Sequence, residues 1–174
     1  MFYKLLSKLL EYPDQELVAA LPGLHASLRQ GFEATEVLVL ERFMKDLARQ
    51  VLTEAQATYV QTFDLTPEHA LHLTHHLFGD DKNRGPALID LGEYYKQYGL
   101  EIAANDGSFQ ELPDYLPLML EFAAQLEPEE VRMFLSQWSK VLSQLAGNLE
   151  KAGSAYAPLI RLVEQRARLV RAAA

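Results

Sequence analysis

The chain has 174 residues, 49% apolar and 23% charged, which is the composition of a folded globular protein and not of a disordered tail. It contains no cysteine, which excludes disulfides, thiolate zinc sites, cysteine-held iron–sulfur clusters and cysteine nucleophiles. A formal charge of −8 and a pI near 5.1 argue against nucleic acid as a partner and favour basic ones.

In chain order, Phe2, Leu5, Leu6, Leu9 and Leu10 repeat at helical spacing until Tyr12-Pro13 stops them. Asp14 caps a second short helix that is expected to run to Pro22-Gly23. A longer helix over about 34–50 carries Val37, Leu40, Phe43, Met44 and Leu47 on one face. Thr53 is a cap for a helix over Glu54 to Phe63, and Thr66-Pro67-Glu68 has the chemistry of another helix start. That helix is expected to carry Leu71, Leu73, Leu77 and Phe78 and to end at Gly79.

Residues 79–86 are rich in turn formers, after which helix resumes from Pro86 to Tyr98 with Gly99 as a C-terminal cap. A second loop covers about 104–112. Beyond it are a helix from Pro113 to Leu126 and a long one from Pro128 to about Lys151, striped by Val131, Phe134, Leu135, Trp138, Val141, Leu142, Leu145 and Leu149. After Gly153 a last helix carries Tyr156, Leu159, Ile160, Val163, Leu169 and Val170. No segment alternates with period two for long enough to read as a strand. The expected fold is all-α, one compact domain over 1–174 of about eight to ten helices.

Charge is uneven. Lys151, Arg161, Arg166, Arg168 and Arg171 stand against Glu164 in residues 151–174, a net +4 that leaves −12 on residues 1–150. Residues 154–174 are therefore a candidate mobile basic helix able to compete for the acidic body, removable without loss of the fold. Lys4, Lys8 and Glu11 interrupt any apolar signal region, and no apolar run approaches the ~20 residues of a spanning helix. A cytoplasmic location without stable membrane insertion is the expectation.

The sequence lacks HExxH, phosphate-cradling glycine loops and Gly-x-Ser-x-Gly, and none of its five histidines follows an acid by three residues. His69, His72, His75 and His76 crowd into one expected helix, where His69, His72 and His76 share a face and could hold zinc or nickel with Asp80 or Asp81. A helical metal-binding protein or metalloenzyme is the alternative reading, and a general helical adaptor a third. The other dense feature is Glu111-Leu112-Pro113-Asp114-Tyr115-Leu116-Pro117. Pro113 at a first helical position and Asp114 in the first turn describe a helix start, with Asp114 favoured by the helix dipole and replaceable by Asn at little cost in stability. An acid and a phenol at such an entrance can also bind a guest peptide.

Glu111-x-Pro113-Asp114-Tyr115 resembles the Glu-x-Pro-Asp-His/Tyr signature of the redox-enzyme maturation chaperones, the helical, TorD-like family serving trimethylamine-oxide and dimethyl-sulfoxide reductases. Tyr59-Val60-Gln61-Thr62-Phe63-Asp64 resembles the family's second motif. The stretch Gly79-Asp80-Asp81-Lys82-Asn83-Arg84-Gly85-Pro86-Ala87-Leu88 and the opening Tyr3-Lys4-Leu5-Leu6-Ser7 with Leu10-Glu11-Tyr12-Pro13 are similar to the NarJ-type branch, the delta-subunit assembly chaperones of respiratory nitrate reductase. The resemblance covers the chain to about residue 121; Tyr115 stands where cousins often have His. It implies a cytoplasmic, non-enzymatic chaperone without a cofactor of its own. Such a chaperone binds the N-terminal segment of the apo catalytic (alpha) subunit and holds it competent for molybdenum cofactor insertion before membrane docking. It also implies peptide contacts at Tyr59, Phe63, Asp64, Glu111, Asp114 and Tyr115.

Overall fold

In the computed structural model, which describes residues 1–28, 31–102 and 111–168, the chain is all-α. Ten α-helices are present among the described residues: α1 Phe2–Leu10, α2 Gln15–Ser27, α3 Ala34–Arg49, α4 Leu52–Tyr59, α5 His75–Phe78, α6 Arg84–Gln97, α7 Leu116–Ala123, α8 Pro128–Ser136, α9 Ser139–Lys151 and α10 Ala157–Arg168. None of them is long and apolar enough to cross a membrane. The apolar repeats do what their spacing dictates. Leu5, Leu6, Leu9 and Leu10 of α1, Leu40 and Met44 of α3, and Leu142, Leu145 and Leu149 of α9 are almost wholly buried in one contiguous core.

Local chemistry sets several ends. The Asp14 carboxylate accepts from the Leu17 N–H at 2.7 Å and starts α2. That helix continues past Pro22-Gly23 to Ser27, with both residues on its exposed side, where the proline ring meets no packed neighbour. The expected long helix over 128–151 is broken at Trp138 (φ −95°, ψ 0°), so that α8 and α9 pack separately on α10.

The largest departure lies between residues 60 and 78. Helix α4 widens into a π turn over Val60–Asp64, and Pro67–His69 form a single 3₁₀ turn. No helix spans 66–79. Residues 71–73 are extended instead, because Leu71 and Leu73 both enter the core while His72 between them faces out. The segment pairs antiparallel with residues 114–116: Leu116 N–H donates to Leu71 O at 2.8 Å and Leu73 N–H to Asp114 O at 3.0 Å. The same pairing holds Asp114 outside α7, which begins at Leu116 with Pro117 in its first turn, so Pro113 is not the helix start.

The basic C-terminal helix is docked. Leu159, Ile160, Leu162, Val163 and Ala167 of α10 are buried, and its main neighbour is α9. Arg166 donates to Glu36 at 2.7–3.0 Å and lies 4.5 Å over the Phe2 ring; Arg161 bonds Glu150 and Glu164, and Arg168 pairs with Glu164. Its arginines are thus already neutralised by Glu36, Glu150 and Glu164. Leu169, Val170 and Arg171 lie outside the described residues.

Candidate functional site

A cleft of about 560 Å³ opens between α1, α7 and the end of α6. Its floor and walls are apolar, with Leu100, Ile102, Pro117, Leu118 and Phe122, and its rim is acidic. Among the described residues, Glu11, Glu101, Glu111 and Glu121 line it against a single cation, Lys8, whose ammonium is held by Glu11 at 2.9 Å. Four carboxylates spaced around an apolar trough produce a negative potential that water at the rim screens only in part. Tyr115 stands in this cleft at the mouth of the 111–115 turn.

Behind Tyr115 is an aromatic stack. The Tyr59 hydroxyl donates to Leu10 O at 3.0 Å, which leaves the Tyr115 hydroxyl to donate to Tyr59 Oη at 2.9 Å. Tyr59 touches Phe63 at 4.9 Å between ring centroids and Tyr12 at 5.6 Å; Phe63 in turn touches Tyr156 at 4.8 Å. The π turn after α4 places Phe63 in this stack. Burial pushes the Tyr115 phenol up to about 12 and the Tyr59 phenol higher still, the latter with further help from its neighbour Tyr115. Both phenols are therefore protonated at neutral pH, and both protons are already committed within the stack.

The six residues that the family resemblance singles out thus occupy three kinds of position. Glu111 and Tyr115 line the cleft. Tyr59 and Phe63 are buried behind Tyr115, and Asp64 is exposed on the π turn, where its charge raises the pKa of both Tyr59 and Tyr115. Asp114 is fully buried, at 0% exposure, and not at an exposed helix start. Its Oδ2 accepts from the Thr74 N–H (3.0 Å) and hydroxyl (2.5 Å), and Arg84 Nη2 lies 3.7 Å away. Arg84 Nε also donates to Thr74 Oγ1 at 3.0 Å.

The histidines do not form the expected cluster, because the helix that would have aligned them does not exist. His69 Nδ1 faces Thr62 O at 3.2 Å, His76 Nε2 faces Ala70 O at 2.8 Å, and His72 Nε2 meets Glu111 Oε1 at 3.0 Å while its ring packs on Tyr115. Among the described residues no group of three His, Asp or Glu is placed to hold a metal ion. Residue spacing alone missed Thr74 and Arg84 and the rim acids Glu11, Glu101 and Glu121. Two of these had a signal available, since Arg84 lies in the 79–88 motif and Glu11 in the opening one.

The profile of a family described as "Nitrate reductase delta subunit" matches residues 14–161. Over 166 residues the chain is 33% identical to the nitrate reductase molybdenum cofactor assembly chaperone NarJ of Escherichia coli (strain K12), covering 91% of this chain and 66% of that one. Over 161 residues it is 34% identical to the probable nitrate reductase molybdenum cofactor assembly chaperone NarJ of Bacillus subtilis (strain 168), covering 92% and 85%. The chain thus spans about two thirds of the length of its E. coli relative. Among solved structures, a redox enzyme maturation protein from Archaeoglobus fulgidus matches with a TM-score of 0.58 at 19% identity, covering 94% of this chain and 90% of that one, a likeness of fold.

Proposed function

The chain belongs to the nitrate reductase delta subunit family, and on that premise we propose that it is a cytoplasmic, non-enzymatic assembly chaperone. Its client is the apo catalytic subunit of a respiratory nitrate reductase, which it holds competent for molybdenum cofactor insertion. It binds the client's N-terminal segment as a basic amphipathic helix, apolar face down on Pro117, Leu118 and Phe122 and basic side chains turned to the glutamates of the rim. The observation that carries this reading is the cleft itself, where the described residues set four carboxylates against one lysine above an apolar floor. Glu111 and Tyr115 are the contacts; Tyr59, Phe63 and Asp114 shape the surface from behind, and Asp64 adds charge at its edge.

The test is calorimetric titration of a synthetic peptide from the catalytic subunit's N-terminus. One peptide per chain should bind, more weakly as ionic strength rises. Tyr115→Ala should weaken binding about tenfold or more if the ring is a central anchor. Glu111→Gln, at a solvated rim, should cost about two- to fivefold. A peptide with its basic residues changed to Glu should not bind; equal affinity for both peptides would sink the reading.

A further inference from the structure

Helix α6 and the residues just beyond it form one wall of the cleft, through Tyr95, Leu100, Glu101 and Ile102. Of the 14 residues of α6 only Leu91 and Tyr95 are buried, and Ile89 is 66% exposed; its apolar attachment is the packing of Tyr94 and Tyr95 on Phe122 and Phe134, toward its C-terminal half. Two polar clasps add to that attachment. Toward its C-terminal end the Tyr95 hydroxyl donates to Pro113 O at 2.6 Å. At its first residue, Arg84 Nε donates to Thr74 Oγ1, that hydroxyl donates to Asp114 Oδ2, and Arg84 Nη2 stands 3.7 Å from the same oxygen. Both clasps close on adjoining residues, Pro113 and Asp114, of the turn that carries Glu111 and Tyr115 into the cleft.

The chemistry of the clasp on Asp114 makes Arg84 its critical member. A carboxylate at 0% exposure needs a counter-charge, and among the described residues Arg84 is the cation paired with Asp114. The other carboxylate oxygen, Oδ1, is buried without a hydrogen-bond partner among the described residues, so the group is held through Oδ2 alone. Neither Arg84 nor Thr74 lines the cleft.

We propose that Arg84 is a positioning residue of the peptide site: it touches no client, and through Thr74 and Asp114 it fixes the start of α6 to the 111–115 turn. The wall bearing Glu101 is thereby held at a set distance from Glu111 and Tyr115 before the peptide arrives, which lowers the ordering cost of binding. This inference rests on the peptide-binding reading above.

The test compares wild type with Arg84→Met, which keeps the stem and removes the guanidinium, and Arg84→Lys, which keeps the charge without the Nε donor. Peptide affinity is measured beside backbone hydrogen exchange of the free protein. Arg84→Met should weaken peptide binding about five- to thirtyfold, with exchange accelerated in α6 and 111–116 and unchanged in α9 and α10. Arg84→Lys should recover part of the affinity. A folded Arg84→Met that binds as tightly as wild type overturns the proposal, as does exchange that rises equally in every helix. If Arg84→Met does not fold, the lysine variant decides: a smaller loss with the same local exchange pattern supports the clasp, and wild-type affinity overturns it. Failure of wild type itself to bind peptide would instead overturn the chaperone reading, and the exchange pattern of the free protein would still decide on the clasp.

Discussion

The α9–α10 pair is held by apolar contact. Val141, Leu142, Leu145 and Leu149 on one helix and Leu159, Ile160 and Val163 on the other all lie in the core, and the ion pairs of Arg161 and Arg168 only edge it. The 111–116 turn puts Leu116 into the core and Tyr115 against it, but most of what fixes the turn is polar: two backbone bonds to Leu71 and Leu73, Thr74 and Arg84 on a buried carboxylate, the Tyr95 hydroxyl on Pro113 O, and the Tyr59–Tyr115 bond. Apolar packing is tolerant of small displacements, whereas hydrogen bonds to one buried oxygen specify a position to a fraction of an ångström. The proposed binding surface therefore sits where polar bonds between distant segments set the geometry, while the α9–α10 layer is set by apolar packing.

Four changes probe that contrast, in order of expected effect. Removing residues 154–174 deletes Leu159, Ile160 and Val163 from the core and unpairs Glu36 and Glu150, so the truncated chain should show no cooperative melt. Retention of a sharp transition would mean that α10 is dispensable. Asp114→Asn removes a buried charge that accepts from Thr74 and faces Arg84, a loss of about 1.5–3 kcal/mol. For a chain of this size that lowers the melting temperature by roughly 3–12 °C. An exposed helix-start aspartate would lose only about 0.3–1 kcal/mol on the same change, so the melt separates the two placements.

Tyr115→Phe removes the bond to Tyr59 and should cost about 1 kcal/mol near neutral pH. Its signature is in alkali. Burial raises this phenol from 10.0 to about 12, so the fold favours the neutral form. That contribution is complete below pH 10 and is lost as pH climbs through 12. The phenylalanine variant should accordingly lose less stability than wild type between those values. The smallest effect belongs to His76, whose pKa is pulled below 6.5 by burial, against the opposing pull of the Ala70 carbonyl. A group shifted this way contributes stability above pH 6.5 and loses it as pH falls through its folded value. His76→Gln, which can still donate to Ala70 O, should flatten the decline in melting temperature on the acid side; an identical decline would show that His76 does not drive it.

The same contrast governs what could be read from residues alone. Helices α1, α3 and α10 are legible because their apolar residues repeat every three to four positions and nothing distant overrides them, whereas the stripe over 128–151 hides the break at Trp138 between α8 and α9. Residues 66–78 are not legible. A capped Thr66-Pro67-Glu68 start followed by Leu71, Leu73 and Leu77 satisfies a helical template, and only the pairing with 114–116 makes the i, i+2 spacing of Leu71 and Leu73 the one that counts. The place of Asp114 is hidden for the same reason, since its local neighbours describe a helix start and its true partners, Thr74 and Arg84, lie some thirty to forty residues earlier. The cleft was half legible. Glu111 and Tyr115 announced themselves by motif, while Glu11, Glu101 and Glu121 come from three separate elements that only the fold brings to one rim.

Client peptide seated in the acidic cleft, between its polar-clasped walls, would leave the apolar α9–α10 layer untouched. Backbone hydrogen exchange of the full chain with and without saturating catalytic-subunit peptide decides this. Protection confined to the end of α1, to 95–102 and to 111–122, with α9 and α10 unchanged, is the predicted result; protection centred on α9 and α10, with the cleft exchanging as in the free protein, would contradict it.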